Sequence, residues 1–366
     1  MKLDQSLSAY LDLLRFTAAS AVLLGHMEQD GLYMRWLPLS WFSHEAVMIF
    51  FVMSGFIIYS STVRSARTWA DYAAARLSRV YSVALPAVVF SVGLSLLVGL
   101  SGEIDTQRLS NYRDFSAWDV ASSLMFLNEA FANKAALSLN HPYWSLCYEV
   151  WYYVLFGLFL FLRGWQRGLC LVLGLLVAGP AVLALFPIWM IGALLAAHAD
   201  GEGRLQAVWA WLAYFGSLAV IVGVNVSGVD HAIRIYLHDH IPGFWRLGAS
   251  QRLVTDYLIG LAVVLHILSF SGLNPGFRRF FGLLAPLAKY LAGFSFTLYL
   301  FHRPMTQLAG YAFPNTAQSI AYSLAGMLAI LLACLLISYG TERQLGAWRA
   351  FFVTGLRKLP VFSGRP

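Results

Sequence analysis

The sequence predicts an all-α polytopic membrane protein with about ten transmembrane helices and both termini in the cytoplasm. Three observations carry that prediction. Hydrophobic residues make up 59% of the 366 and charged residues only 12%, whereas a soluble domain carries about 25% charged residues. The mean hydropathy is +0.65. Apolar runs of crossing length recur along the chain, and none has the alternating ten-residue pattern of a barrel strand.

The predicted spans fall at 7–27, 46–63, 79–100, 144–162, 207–227, 253–270, 286–310 and 319–339. The stretch 169–199 is 31 residues long and holds Pro180 and Pro187. It reads as two short spans meeting near Pro187. One long kinked helix is the alternative, and it would reverse the orientation of everything after it.

With ten spans the basic residues sort by side. Lys2, Arg64, Arg67, Arg76, Arg79, Arg163, Arg167, Arg204, Arg278, Arg279, Arg343, Arg349, Arg357, Lys358 and Arg365 fall in the segments assigned to the cytoplasm, 15 in all. The opposite side holds 7: Arg35, Arg108, Arg113, Lys134, Arg234, Arg246 and Arg252. Arg15, Lys289 and Arg303 lie within spans. The positive-inside rule then places both termini in the cytoplasm. The same distribution explains the net charge of +7 without any nucleic-acid partner.

The first span could be mistaken for a signal peptide, with small residues at Ala18–Ala21. Arg15 in mid-run argues against an uninterrupted hydrophobic region, so it reads as a retained span. Two outer segments are long. Within 101–143, Trp118 to Leu127 is too short to cross and reads as a re-entrant or surface helix. Within 228–252, His238-Asp239-His240 lacks helix-face metal spacing. That segment reads as a solvated loop or as a polar and aromatic surface for a sugar. Cys147, Cys170 and Cys334 sit in apolar runs without CxxC or zinc spacing and read as small buried hydrophobes.

Ionisable groups in the spans mark the chemistry. Arg15 and His26 are 11 residues apart, which puts them on one helix face about 16 Å apart along the axis. Such residues usually face a bundle interior or a wet cavity. A bland reading pairs Arg15 with Asp12. Arg76 and Arg79 lie three apart at the expected cytoplasmic mouth of the third span, where forked guanidiniums suit phosphate oxygens. Ordinary positive-inside anchoring is the alternative for both. Glu149 lies one to two turns into the fourth span, at the depth expected for His26, and a carboxylate there could orient the imidazole. The run Phe294 to Pro304 carries His302 and Arg303 in the outer half, and its proline can leave backbone groups needing partners. Ser54-Gly55 reads as a close-packing pair.

Taken together, these residues resemble the integral-membrane acyltransferase family 3. The resemblance covers nearly the whole chain and rests on five motifs in order. They are Tyr10-Leu-Asp-Leu-Leu-Arg15 with His26, Phe50-Phe-Val-Met-Ser-Gly-Phe56, Arg76-Leu-Ser-Arg79, Trp144-Ser-Leu-Cys-Tyr-Glu149, and Ser295-Phe-Thr-Leu-Tyr-Leu-Phe-His302. Met48 departs from an acidic residue common in the family. Cys147 replaces a common serine and raises the idea of a cysteine nucleophile.

The resemblance implies a stand-alone membrane-embedded acyltransferase domain over 1–342 with a short basic cytoplasmic tail at 343–366. It implies transfer of an acyl group, usually acetyl, from cytoplasmic acyl-CoA to an extracytoplasmic glycan or lipid-linked saccharide. The implied setting is the bacterial cytoplasmic (inner) membrane, with no metal. On this reading Arg76, Arg79 and Arg15 bind the donor. His26 is the general base, oriented by Glu149 and joined in the catalytic set by Arg15 and His302. Trp144, Tyr148 and Arg303 contact substrate, and His302 or Arg303 steadies the oxyanion. Direct transfer and a covalent acyl-enzyme both remain open. A transporter or flippase for a lipid-linked glycan is the rival from another class, since buried charges mark pathways there too. A non-catalytic scaffold would leave these groups without a use.

Overall fold

The computed structural model describes residues 4–36, 38–65, 68–131, 133, 135–198 and 205–357. Lys2, Arg67, Lys134, Arg204, Lys358 and Arg365 of the charge distribution lie outside the described residues, as does the tail beyond 357.

Among the described residues the secondary structure is helical, with no strand. In chain order the helices are α1 (Gln5–Gln29), α2 (Ser43–Ser65), α3 (Trp69–Ser101), α4 (Ala117–Leu124) and α5 (Trp144–Phe161). Next come α6 (Gly164–Ala197), α7 (Ala207–Ser227), α8 (Val229–His240), α9 (Leu253–Phe270) and α10 (Pro275–Leu283). The chain closes with α11 (Ala285–Ala292), α12 (Ser295–Ala312), α13 (Ile320–Gly340) and α14 (Leu345–Arg357). Eight stretches among the described residues, built on α1, α2, α3, α5, α6, α7, α9 and α13, are long and apolar enough to cross a membrane. The protein is an all-α polytopic membrane protein.

The chain divides into two compact units. The first comprises Met1–Ala21, Trp41–Arg64 and Pro180–Ala292; the second comprises Val22–Ser40, Ser65–Gly179 and Gly293–Pro366.

In the first unit, α2 and the 180–197 arm of α6 meet through glycines. A Cβ on Gly55 would overlap the Trp189 carbonyl, and one on Gly192 the Val52 carbonyl. Small residues permit that approach, as the Ser54-Gly55 pair suggested. Trp189 Nε1 donates to Ser54 Oγ at 3.2 Å. The break in α6 falls at Gly179 (φ 77°, ψ 171°), not at Pro187 as expected. A residue before proline is pushed out of the α region, and glycine alone reaches this positive φ at no steric cost. Pro187 follows a phenylalanine and stays within continuous helix. Hydroxyls of Ser250 and Tyr257 donate to the Ala181 and Ala184 carbonyls of that arm, at 2.7 and 2.5 Å. The segment expected as an outer loop at 228–252 is helix α8 followed by 3₁₀ turns. In it His240 stacks on Tyr236, with centroids 4.1 Å apart.

In the second unit, α3 begins at Trp69, ten residues before the predicted span, because Thr68 caps it by accepting from the Asp71 amide at 3.1 Å. Arg76 and Arg79 therefore lie about 10 and 15 Å into the helix, not at its mouth. Segment 101–143 re-enters alongside α3. Tyr81 Oη donates to the Leu124 carbonyl at the end of α4, at 2.8 Å. Tyr81 sits 20 residues, about 30 Å of helix, before α3 ends at Ser101. The expected single span at 286–310 is two helices, α11 and α12, broken at Gly293-Phe294. The reason is a new helix start: the Glu342 carboxylate accepts from the Phe296 and Thr297 amides at 3.1 and 3.0 Å. The predicted tail contributes α14, which packs on α3 with Phe352 5.9 Å from Tyr81 ring to ring.

Candidate active site

The centre of the second unit is built at the end of α1. Gly31 (φ 73°) closes the helix, with the Leu32 amide donating to the Met27 carbonyl at 2.7 Å and the Gly31 amide to Glu28 at 3.2 Å. This is the Schellman pattern. It leaves His26 in the last helical turn and turns Asp30 away from the helix axis.

His26 is half-buried, and its Nδ1 lies 2.8 Å from His302 Nε2. The two rings stack with centroids 5.0 Å apart. His302 is fully buried, and its Nδ1 is 2.9 Å from the Leu298 carbonyl. A carbonyl can only accept, so His302 Nδ1 carries its hydrogen. Neutral His302 then offers Nε2 as an acceptor, and His26 Nδ1 must donate to it. The order Leu298 carbonyl, His302, His26 leaves His26 Nε2 as the nitrogen with a lone pair. That is the tautomer a general base requires.

Arg303, next to His302, is 2% exposed and forms an ion pair with Asp30. Its Nη2 donates to Ser110 Oγ at 2.8 Å. With the Asn111 amide turned oxygen-inward, that oxygen accepts from Nε and Nη2 at 3.1 and 2.7 Å. Burial holds the Asp30 carboxyl above its ordinary value, and the nearby guanidinium offsets only part of that rise. Arg303 is thus occupied as a clamp between α12, the end of α1 and the re-entrant segment. It is not poised as an oxyanion donor.

Pro304 has no amide to give the Leu300 carbonyl, yet α12 continues. Asn140 Nδ2 takes that carbonyl at 2.9 Å and also reaches Ser91 Oγ at 3.0 Å. Gln307 accepts from the Asn111 amide at 3.2 Å and donates to the Leu139 carbonyl at 3.1 Å. These bonds hold the His141-Pro142 turn at the start of α5, and the exposed His141 lies within electrostatic reach of His26.

Glu149 does not join His26. Its carboxylate accepts from Tyr153 Oη, one turn along α5. It lies within electrostatic reach of Arg76 and Arg79. Glu149 therefore belongs with Tyr153 and the arginines of α3, not with the histidines at the end of α1. The two arginines also differ. Arg79 is bound to Glu342 at 2.7 Å, the carboxylate that starts α12. Arg76 lies over the Tyr72 ring at 5.9 Å, forms no ion pair among the described residues, and its buried Nε has no hydrogen-bond partner. In the first unit, Arg15 pairs with Asp12 at 3.7 Å, the bland reading.

A family model described as an acyltransferase domain matches residues 8–339. The chain belongs to the acyltransferase-3 family. No curated protein and no solved structure matches it. Every motif quoted above falls inside the matched range, and this acyltransferase is accordingly a multi-pass membrane enzyme.

Two further expectations fall on α5 and on the cysteines of the acyltransferase. Trp144 and Tyr148 are buried and pack edge to face at 4.9 Å, which makes them part of the α5 core. Cys147 is fully buried with Sγ donating to the Phe126 carbonyl at 3.0 Å, a poor setting for a nucleophile. Cys334 is likewise buried, whereas Cys170 is half-exposed. Among the described residues, no group of three or more His, Cys, Asp or Glu could hold a metal ion. Asp30, Asn140 and His141 were missed by sequence reasoning. The signal for the first was an acidic residue four positions after His26, next to a glycine.

Proposed function

We propose that this acyltransferase moves an acyl group, acetyl foremost, from cytoplasmic acyl-CoA to a hydroxyl of an extracytoplasmic glycan or lipid-linked saccharide, in the bacterial cytoplasmic (inner) membrane. The observation that carries the reading is the hydrogen-bond order from the Leu298 carbonyl through His302 to His26. It supports His26 Nε2 as the base. Nε2 takes the acceptor hydroxyl proton as the oxygen attacks the thioester carbonyl. The carbon–sulfur bond breaks, and the imidazolium returns its proton to the departing thiolate. The developing imidazolium is steadied by His302, which accepts from Nδ1.

Arg76 is assigned to donor phosphate, because Arg79 is already held by Glu342. Glu149 balances charge in that arginine layer through Tyr153. Direct transfer fits better than an acyl-cysteine, given the setting of Cys147. The acyltransferase assignment favours transfer over flipping.

Mass spectrometry of surface glycans from cells with the wild type and with His26→Ala tests the proposal. The wild type should add a mass of one acetyl group per site, and the variant should not. The same modification at wild-type level in the variant would remove His26 from the reaction.

A further inference from the structure

The first unit contains an open cavity of about 430 Å³ that the acyl-transfer reading does not use. Its walls include Gln5 and Ser6 from the first turn of α1, and Arg278, Arg279, Gly282 and Leu283 from α10. Pockets of this size accommodate small-molecule ligands.

Its chemistry is basic. Arg278 pairs with Asp4 and donates to the Ser271 carbonyl at 3.3 Å, while its Nε is buried without a hydrogen-bond partner. Asp4 in turn caps α1, accepting from the Leu7 amide at 2.8 Å. Arg279 is exposed and forms no ion pair among the described residues. Two guanidiniums and the positive end of α1 thus face one carboxylate, which leaves positive charge in excess. Gly282 keeps the space open, since a Cβ there would stand 3.0 Å from Ser6 Oγ.

The flank is apolar. Phe280 is 54% and Leu283 72% exposed on the same short helix. Arginines beside exposed apolar side chains are the pattern of a helix lying in a membrane interface. Forked guanidiniums match the oxygens of a phosphate ester.

We propose that this cavity binds a phosphate ester. Two molecules could present it: an anionic phospholipid headgroup, or the nucleotide end of the thioester donor. The second source rests on the acyl-CoA reading; the first does not.

The test uses the full chain in phosphatidylcholine nanodiscs. One arm titrates adenosine 3′,5′-bisphosphate. The other adds phosphatidylglycerol and measures lipid retention by native mass spectrometry. Arg279→Glu spares the Asp4–Arg278 pair, so folding should persist. It should weaken whichever ligand the wild type binds by about tenfold, as loss of one charge-assisted contact implies. Gly282→Leu, which fills the space without altering charge, should weaken the same ligand.

Loss confined to lipid identifies a headgroup site, and loss confined to the nucleotide identifies a donor site. Neither ligand binding to the wild type, or both binding unchanged to Arg279→Glu, overturns the proposal. Failure of the acyl-CoA reading is separable: it would show as absence of acylation and of nucleotide binding in the wild type while lipid retention still responds to Arg279→Glu.

Discussion

Two buried histidines, one in each unit, sit in opposite situations. In the first unit, His266 on α9 has both ring nitrogens occupied. Ser217 Oγ gives its hydrogen to the Tyr214 carbonyl at 2.7 Å, so it accepts from His266 Nδ1 at 2.9 Å. His266 Nε2 is hydrogen-bonded to Tyr10 Oη, which is in turn hydrogen-bonded to Tyr214 Oη at 3.2 Å. Tyr10 also stacks on Phe270 at 4.3 Å. The chain of bonds closes on itself inside an aromatic cluster. In the second unit, His302 is equally buried, but its free nitrogen is taken by another histidine. That second ring is half-buried and keeps one lone pair. A saturated network specifies packing, while a network that ends in an unpaired acceptor can take up a proton.

The sharpest way to break this contrast is to delete its reactive end. His26→Ala should lower turnover by about 10²–10⁴-fold, with folded protein and donor binding retained. Turnover measured per folded molecule in nanodiscs checks it. Wild-type turnover in that variant would make the two histidine networks equivalent.

The clamp beside the site should show the next largest effect, and on stability. Asp30→Ala leaves Arg303 charged and unpaired in a buried setting. Breaking such a pair typically costs about 3–5 kcal/mol. Thermal unfolding in detergent should register the loss, and the double variant Asp30→Ala with Arg303→Met should recover part of it. A single variant as stable as the wild type would mean that the pair is not needed to hold α12 to the end of α1.

Arg76 and Arg79 offer a third division between a reactive and a structural role. Arg76→Gln should weaken acyl-CoA binding by roughly 10–100-fold, the equivalent of about 1.5–3 kcal/mol for a charged hydrogen bond. Arg79→Gln should instead lower thermal stability, because Glu342 loses its partner. Isothermal titration alongside melting curves separates the two. Equal effects of both on both readouts would merge the roles.

Removing the support of the base should matter less than removing the base. His302→Ala takes away the acceptor for His26 Nδ1. Loss of one hydrogen bond of about 1.4 kcal/mol predicts roughly a tenfold fall in turnover. The smallest effect on turnover belongs to His266→Ala. It removes one partner each from Tyr10 Oη and Ser217 Oγ, which keep their bonds to Tyr214, and should cost about 1–3 kcal/mol of stability, with activity per folded molecule unchanged. A turnover defect as large as that of His26→Ala would show that the saturated network takes part in the chemistry.

The local devices were readable in the chain. Hydrophobic runs announced the helices, because a bilayer demands about 20 apolar residues per crossing. Ser54-Gly55 announced a close contact, and the contact is there. Pro304 announced a carbonyl in need of a partner. The partner, Asn140, lies 160 positions from that carbonyl in sequence, and only the folded re-entrant segment delivers it. The sequence reading put the break at Pro187, although the glycine before Pro180 was the distinguishing mark: Gly-Pro can leave the helix where Phe-Pro is carried through.

By itself the sequence determined the helical class, the membrane setting and the family. Each rests on composition, on period, or on residue types confined to short motifs. Pairing was decided only by the tertiary structure. Depth inferred from span order put Glu149 beside His26, but the fold gives Glu149 to Tyr153 and the arginine layer. Arg303 likewise has five donors and many conceivable partners. Asp30, Ser110 and Asn111 claim them because two chain reversals, one ending α1 and one within 101–143, bring those residues to the same buried point.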